Sequence, residues 1–286
     1  MTLDFYEEVA RLLRAGGTLA IVTLVDRQGS TPRRFGAKMV VTESGETAFS
    51  IGGGAFEALV IEDAREAMRQ GRGLEKEYRF TEQGENAVGM VCGGTARVLI
   101  EVVRAPLPLI VFGGGHVGRE VAHLGVRLGF DVTVIDDRPR YLDPDRYPEG
   151  VRRVQAEHDF SGDLPPIPAG AYVAILTRCH RTDLAALRHA VGREAAYVGV
   201  IGSRRKVATL LARAEALGIS RDALAHLHAP IGVPIGAETP EEIAVSIAAE
   251  MIGVRNASAR AHRASDRPTP AAVTPFGRGR APSRSI

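Results

Sequence analysis

Apolar residues keep two different rhythms along this chain. Up to about residue 104, segments with helical spacing and short apolar stretches are separated by glycine-rich loops. Leu3, Tyr6, Val9 and Leu13 fall on one face of a helix over 3–15, and TLAIVTLV (18–25) reads as a strand. Gly29, Pro32 and Gly36 mark a loop, after which AKMVV resumes strand character. SIGGGAFEALVIEDAREAMRQG predicts a glycine loop feeding a helix that stops at Gly71. EKEYRF and TARVLIEVV predict two further strands, joined by TEQGENAVGMVCGG as a loop.

Beyond Pro106 and Pro108 the rhythm changes. LPLIVFGGGHVGREVAHLGVRLGFDVTVIDDRP reads as strand, glycine turn, helix, strand. AYVAILT (171–177) and AYVGVIG (196–202) are wholly apolar, as strands are when a parallel sheet is covered on both faces. Helical segments follow them near 182–191 and 203–217. This alternation implies a doubly wound α/β domain. A last helix opens with Thr239 as cap, Pro240 in the first turn and two glutamates behind it. After Gly253 the periodicity ends, and Ala, Arg, Pro and Ser dominate. That composition reads as a disordered tail.

The composition, 45% hydrophobic and 24% charged over 286 residues, is that of a soluble globular protein of two ordinary domains. The net charge is +2, but six Arg against one Asp follow residue 255, so the folded body is mildly acidic. A nucleic-acid-binding fold needs a basic face, so no nucleic-acid partner is expected. Apolar runs reach only about eight residues, far below the ~20 of a membrane span, and none is expected. The amphipathic, partly acidic start is not a signal peptide. Two cysteines, Cys92 and Cys179, make no disulfide framework and suit a reducing cytoplasm.

The clearest motif is Gly113-Gly114-Gly115-His116-Val117-Gly118, a GxGxxG between strand and helix, with Asp136 ending the next strand. That context makes a nucleotide or phosphate site. Gly113 permits the turn, Gly115 lets backbone amides reach a pyrophosphate, and Gly118 lets helix and strand pack closely. The helix N-terminus attracts the anion, and Asp136 is placed for a ribose. The expected fold class is therefore α/β. An N-terminal mixed α/β domain (1–104) precedes a Rossmann-like doubly wound parallel-sheet domain (105–254) and a disordered basic tail (255–286).

Other candidates are less specific. Ser203 would cap a helix whose first turn carries Arg204, Arg205 and Lys206, cations that oppose the helix dipole unless an anion sits nearby. TRCHRTD (177–183) lies at the carboxyl end of the sheet, which makes His180, Cys179 and Asp183 candidate acid–base or metal groups. Asp183 could equally cap the following helix. Gly52-Gly53-Gly54 before a helix suggests an anion nest, with Glu57 either a dipole-favoured helix residue or a ligand contact. Cys92 stands directly before Gly93 and Gly94, where a thiol can meet a bulky ligand.

Seven stretches in order resemble the XdhC/CoxI family of xanthine dehydrogenase accessory proteins: GSTPRRFGAKMVV, SIGGGAFEA, MVCGGTARVLIE, VFGGGHVGREVAHL, VIDDRP, YVGVIGSRRK and HAPIGVPIGAETPEEIAVSIAAEM. The resemblance spans about residues 7–253. It implies a molybdenum cofactor chaperone, an insertion factor rather than a turnover enzyme. Such proteins bind and protect the cofactor (molybdopterin or its cytosine dinucleotide form), assist its sulfuration and deliver it to an apo molybdenum hydroxylase. A cysteine desulfurase partner, a homodimer and a cytoplasmic location are implied too. The family's Cys-Gly-Gly falls on Cys92, Gly93 and Gly94, so Cys92 would contact molybdenum or carry sulfur; the alternative is simple packing. Where many relatives have Thr-His-x-His, this chain has Thr177-Arg178-Cys179-His180. The glycine fingerprint alone also fits an NAD(P)-dependent oxidoreductase or a nucleotide-binding regulator.

Overall fold

A computed structural model describes residues 2–28, 34–81, 88, 94–160 and 162–265. Two five-stranded sheets divide the chain. The first half comprises α1 (Thr2–Arg14), β1 (Thr18–Gln28), β2 (Lys38–Thr42), β3 (Thr47–Phe49), α2 (Gly54–Gln70), β4 (Leu74–Arg79) and β5 (Thr95–Arg104). Its strands lie in the order β3-β2-β1-β5-β4, each antiparallel to its neighbours. Side chains alternate between faces with period two. Ala20, Val22 and Leu24 therefore meet Phe56, Val60 and Ala64 of α2, whereas Leu19 and Val40 cluster with Phe5 and Val9 of α1.

The second half contains β6 (Pro108–Phe112), α3 (His116–Arg127), β7 (Asp131–Asp136), β8 (Arg152–Gln155), β9 (Tyr172–Ile175), α4 (His180–Ala190), β10 (Tyr197–Val200), α5 (Arg204–Ala216), α6 (Arg221–Ala225) and α7 (Pro240–Ser265). The strand order is β10-β9-β6-β7-β8, all parallel. From β6 in the centre, the chain builds outward through β7 and β8, then crosses to build the other side through β9 and β10. The direction reverses between β6 and β9, and open α/β sheets hold their ligands outside the strand ends at that point. Both faces are covered. Val121 of α3 and Ile247 of α7 pack in one cluster, and Leu187 of α4 and Leu210 of α5 pack in the other.

The structure agrees with the α/β expectation and departs from it in detail. Strands β3 and β8 and helix α6 are too short, at 3, 4 and 5 residues, to leave a periodic signal. Helix α4 starts at His180 rather than 182, which puts Asp183 inside the first turn. The largest departure concerns the end of the last helix; the expected disordered tail beyond residue 265 lies outside the described residues. Helix α7 runs on through Gly253 to Ser265, although the loss of apolar rhythm placed irregular chain from 255. Alanine and arginine are strong helix formers, and one glycine costs only about 1 kcal/mol. Arg255 also anchors the extension: its Nη1 donates to the Leu128 carbonyl at 3.0 Å, and its guanidinium lies over the Phe130 ring. Among the described residues, no helix is long and apolar enough to cross a membrane.

Candidate functional site

The chain leaves β6 at Phe112 and turns through three glycines into α3. Three of the four glycines in this motif are demanded by the protein itself. Gly113 has φ 104°, and a Cβ there would sit 2.5 Å from the Leu176 carbonyl oxygen. At Gly114 a Cβ would meet the Tyr147 hydroxyl at 2.6 Å, and at Gly118 the Gly113 carbonyl oxygen at 1.8 Å. Gly115 is different. Its φ is −63°, and a Cβ there would meet nothing within 4 Å. It occupies the N-cap of α3 without a side-chain cap bond, beside the exposed His116. First-turn amides with no capping side chain attract anions. The space left by Gly115 suits a group as bulky as a phosphate.

Asp136, at the end of β7, is 1% exposed. One carboxylate oxygen accepts from the Gly114 amide at 2.8 Å and from Arg138 Nη2 at 3.0 Å. The other accepts from the Arg138 amide at 2.9 Å and Nε at 3.0 Å. The carboxylate expected to face a ribose is thus filled from inside, where it clamps the glycine turn to Arg138. Asp137, its neighbour, receives the Arg178 guanidinium, with Nη2 donating at 2.8 Å. That hydrogen bond outweighs partial burial and holds the Asp137 carboxyl down at about 2. The Arg178 cation is therefore matched internally. Asp137, His158 and Asp159 offer oxygen and nitrogen atoms within 4.8 Å of one another, but Arg178 and Arg181 already supply the countercharge.

Beyond β9, Thr177 donates to Asp183 at 2.6 Å, and Lys206 pairs with the fully buried Asp183 at 2.7 Å. Asp183 is therefore not a helix cap; Cys179 holds that position, and the Thr182 hydroxyl lowers the pKa of its thiol. His180 is half-buried, and its Nδ1 is buried without a partner. Ser203 does cap α5, accepting from the Lys206 amide. Of the three cations behind it, Lys206 turns inward to Asp183, while Arg204 and Arg205 are exposed.

In the first half, the anion nest already holds an anion. Glu57 accepts from the Ser50 hydroxyl at 2.7 Å and from the Ile51 and Gly53 amides at 3.1 Å each. Burial pushes its pKa up, but the hydroxyl and the amides of Gly53, Ile51 and Gly52 together bring it below the usual value. The glycines at 52–54, with φ of 154°, 77° and 64°, shape the turn around that carboxylate. Cys92 and Gly93 lie outside the described residues. Gly94 precedes β5 and accepts from the Phe80 amide at 3.0 Å.

Gly113, Gly115, Gly118, Asp136, His180, Ser203 and Arg204 thus come together at the carboxyl end of the parallel sheet, with His116 at the α3 start. Gly52–Gly54, Glu57 and Gly94 belong to the antiparallel half. Sequence reasoning missed Tyr141, Arg146 and Tyr147, which line the turn from the loop after β7. Their signal was the Arg- and Tyr-rich run RPRYLDPDRY.

A family model described as the XdhC Rossmann domain matches residues 109–251, and one described as the XdhC and CoxI family matches residues 12–79. The chain belongs to the XdhC/CoxI family. Uncharacterized protein YqeB of Escherichia coli (strain K12) is 34% identical over 254 residues, covering 89% of this chain and 47% of that protein. A probable xanthine dehydrogenase subunit of Bacillus subtilis (strain 168) is 30% identical over 162 residues, covering 56% and 47%. This XdhC/CoxI chain therefore spans about half the length of those two relatives. Molybdenum cofactor insertion chaperone PaoD of Escherichia coli (strain K12) is 26% identical over 279 aligned positions, covering 85% of each chain.

Proposed function

We propose that this XdhC/CoxI protein binds a molybdenum cofactor, as molybdopterin or its cytosine dinucleotide form. It protects the cofactor, assists its sulfuration and delivers it to a molybdenum hydroxylase of the xanthine dehydrogenase, aldehyde oxidase or CO dehydrogenase type. The carrying observation is Gly115, a glycine for which the protein has no internal use, at an uncapped helix start. The name of PaoD, matched along most of both chains, supports the nature of the cargo.

The residues present fit the phosphate end of such a ligand. The first-turn amides of α3 would hold the phosphate, while Asp136 keeps Gly114 in position from beneath. The cargo, once bound, supplies the molybdenum centre on which a hydroxylase depends. Cys92 is proposed as the thiol that meets that centre or carries sulfur to it. In this reading the chain is an insertion factor rather than a turnover enzyme. It works in the cytoplasm, as a homodimer, with the apo-hydroxylase and a cysteine desulfurase as partners. In the same reading the domains are 1–104 and 105–254, and the cargo sits in the cleft between them, bounded by Cys92 and the Gly113–Gly118 turn.

The test is retention. Purified protein is mixed with molybdenum cofactor and desalted, and the protein fraction is assayed for pterin and molybdenum beside Cys92→Ala and Gly115→Val. Stoichiometric retention that falls in both variants supports the proposal. Native protein that retains nothing, under conditions where a known acceptor does, overturns it. NADH fluorescence quenching with substrate-dependent oxidation would establish the oxidoreductase reading instead.

A further inference from the structure

The loop after β7 gathers three guanidiniums around one ring. Arg138, Arg140 and Arg146 lie with their Cζ atoms 4.0, 4.8 and 5.2 Å from the Tyr141 centroid. This group is pressed against the glycine turn. A Cβ on Gly114 would stand 2.8 Å from the Tyr141 carbonyl oxygen and 3.3 Å from its Cβ. Arg146 donates from Nη2 to the Gly114 carbonyl at 3.3 Å, and the Tyr147 hydroxyl donates to the Tyr141 carbonyl at 2.6 Å.

The charges there do not balance. Asp136 pairs with Arg138, and Asp137, 3.6 Å from Arg138 Nε, is already held by Arg178. Among the described residues, no ion pair reaches Arg140 or Arg146. Arg140 donates to the Tyr141 hydroxyl at 3.3 Å, and Arg146 Nε is buried without a partner. Asp143 and Asp145 are exposed in the same loop, with the Asp143 carboxylate accepting from the Asp145 amide. A ring face attracts cations, but it leaves their mutual repulsion in place. Buried donors are normally satisfied. Guanidiniums held together with donors to spare suit the oxygens of a phosphate, which they can bind in a forked geometry.

The location narrows the ligand. In this fold the acid ending the second strand usually receives a ribose diol. Here Asp136 is filled by Gly114 and Arg138, so a bare diol finds no free acceptor. We propose that Arg138, Arg140 and Arg146 form a second anion subsite, which takes a phosphate group in addition to the one on the α3 turn. The ligand class is then a nucleotide-like molecule carrying two phosphates. The proposal rests on the reading of the Gly113–Gly118 turn as a phosphate cradle. The second phosphate can extend from the 5′ side, as a pyrophosphate, or stand on the ribose.

Calorimetry on the full chain with 5′-AMP, ADP and adenosine 2′,5′-bisphosphate separates these cases. At least one doubly phosphorylated probe should bind about tenfold or more tightly than 5′-AMP, and the probe that gains identifies the side. In an Arg140→Gln/Arg146→Gln variant the ratio of affinities should fall towards one. The exposed Arg140→Gln alone, which carries little risk to folding, should lower it part of the way. If 5′-AMP binds and neither second phosphate improves binding, the subsite is wrong and the α3 cradle stands. If bisphosphates bind through Arg140 and Arg146 while the 5′-AMP affinity of Gly115→Val equals that of the native protein, the subsite stands and the cradle is wrong. If no probe binds, both are wrong.

Discussion

A Cβ added at Gly118 would sit 1.8 Å from a backbone oxygen, and one added at Gly115 would meet nothing within 4 Å. The two alanine variants should therefore separate stability from binding. Gly118→Ala forces backbone apart and should cost roughly 1–3 kcal/mol in thermal unfolding. Gly115→Ala keeps its φ and should unfold within a few tenths of a kcal/mol of the native protein, while phosphate-ligand affinity falls in titration. Equal stability losses in both would mean that the Gly115 space is needed for packing. The GxGxxG string shows neither difference, because it specifies that glycines occur and not what each would strike. Glu57 and Asp136 teach the same lesson. In sequence Asp136 reads as a ribose contact and Glu57 as either a helix-start acid or a ligand contact, yet both are satisfied by amides and side chains that only folding brings to them.

Asp137 carries a pH prediction at this scale. Its folded value of about 2 lies below the ordinary 3.8, chiefly through the Arg178 hydrogen bond. A depressed carboxylate stabilises the fold at pH above its unfolded value, and that stabilisation is lost as pH falls through the folded one. The Arg178–Asp137 contribution should thus be complete above about pH 4 and fade towards pH 2. Carbon-detected titration of the Asp137 carboxyl in Arg178→Gln should move its midpoint up towards 3.8. An unmoved midpoint would show that Arg178 is not the cause.

Among the elements, α4 and α5 are joined by a charge pair that an apolar pattern cannot reveal. Lys206 reaches from the first turn of α5 to Asp183, which is 0% exposed. Lys206→Met should leave that carboxylate buried and unmatched, costing about 3–5 kcal/mol. Arg204→Ala and Arg205→Ala should stay within about 0.5 kcal/mol. Denaturant melts of the three variants check this, and similar small losses in all three would mean that Asp183 is not dependent on the lysine. Three adjacent cations look equivalent in sequence; the helix turn selects one to point inward. The same limit explains the misplaced end of α7. Apolar periodicity reports what a helix packs against, so it fell silent at Gly253, where the helix continues with arginine and alanine and is held by Arg255. A long element with one buried face, such as α2, was legible because packing and periodicity coincide there.

At the scale of the whole molecule, the two sheets do not share a core among the described residues. One cluster runs from Ala20 to Ile100, and those of the parallel sheet run from Leu109 to Met251. The chain passes between the sheets at Ala105, whose amide donates to the Gly17 carbonyl at 2.9 Å. Apolar burial is the dominant favourable term in folding. A segment that keeps its own core, its own five strands and the helices on both faces should therefore fold alone. Residues 105–265 made as a fragment should unfold cooperatively, and they should bind doubly phosphorylated nucleotides as the full chain does, because the glycine turn and the arginine group both lie within them. Pterin and molybdenum retention should be lost, since Cys92 is left behind. Circular dichroism melts and calorimetry on the fragment read these separately. A fragment that does not fold would make the halves one cooperative unit. A fragment that folds and still retains molybdenum would place the metal end of the cargo at the parallel sheet, where Cys179 is the thiol available, and would take Cys92 out of the site.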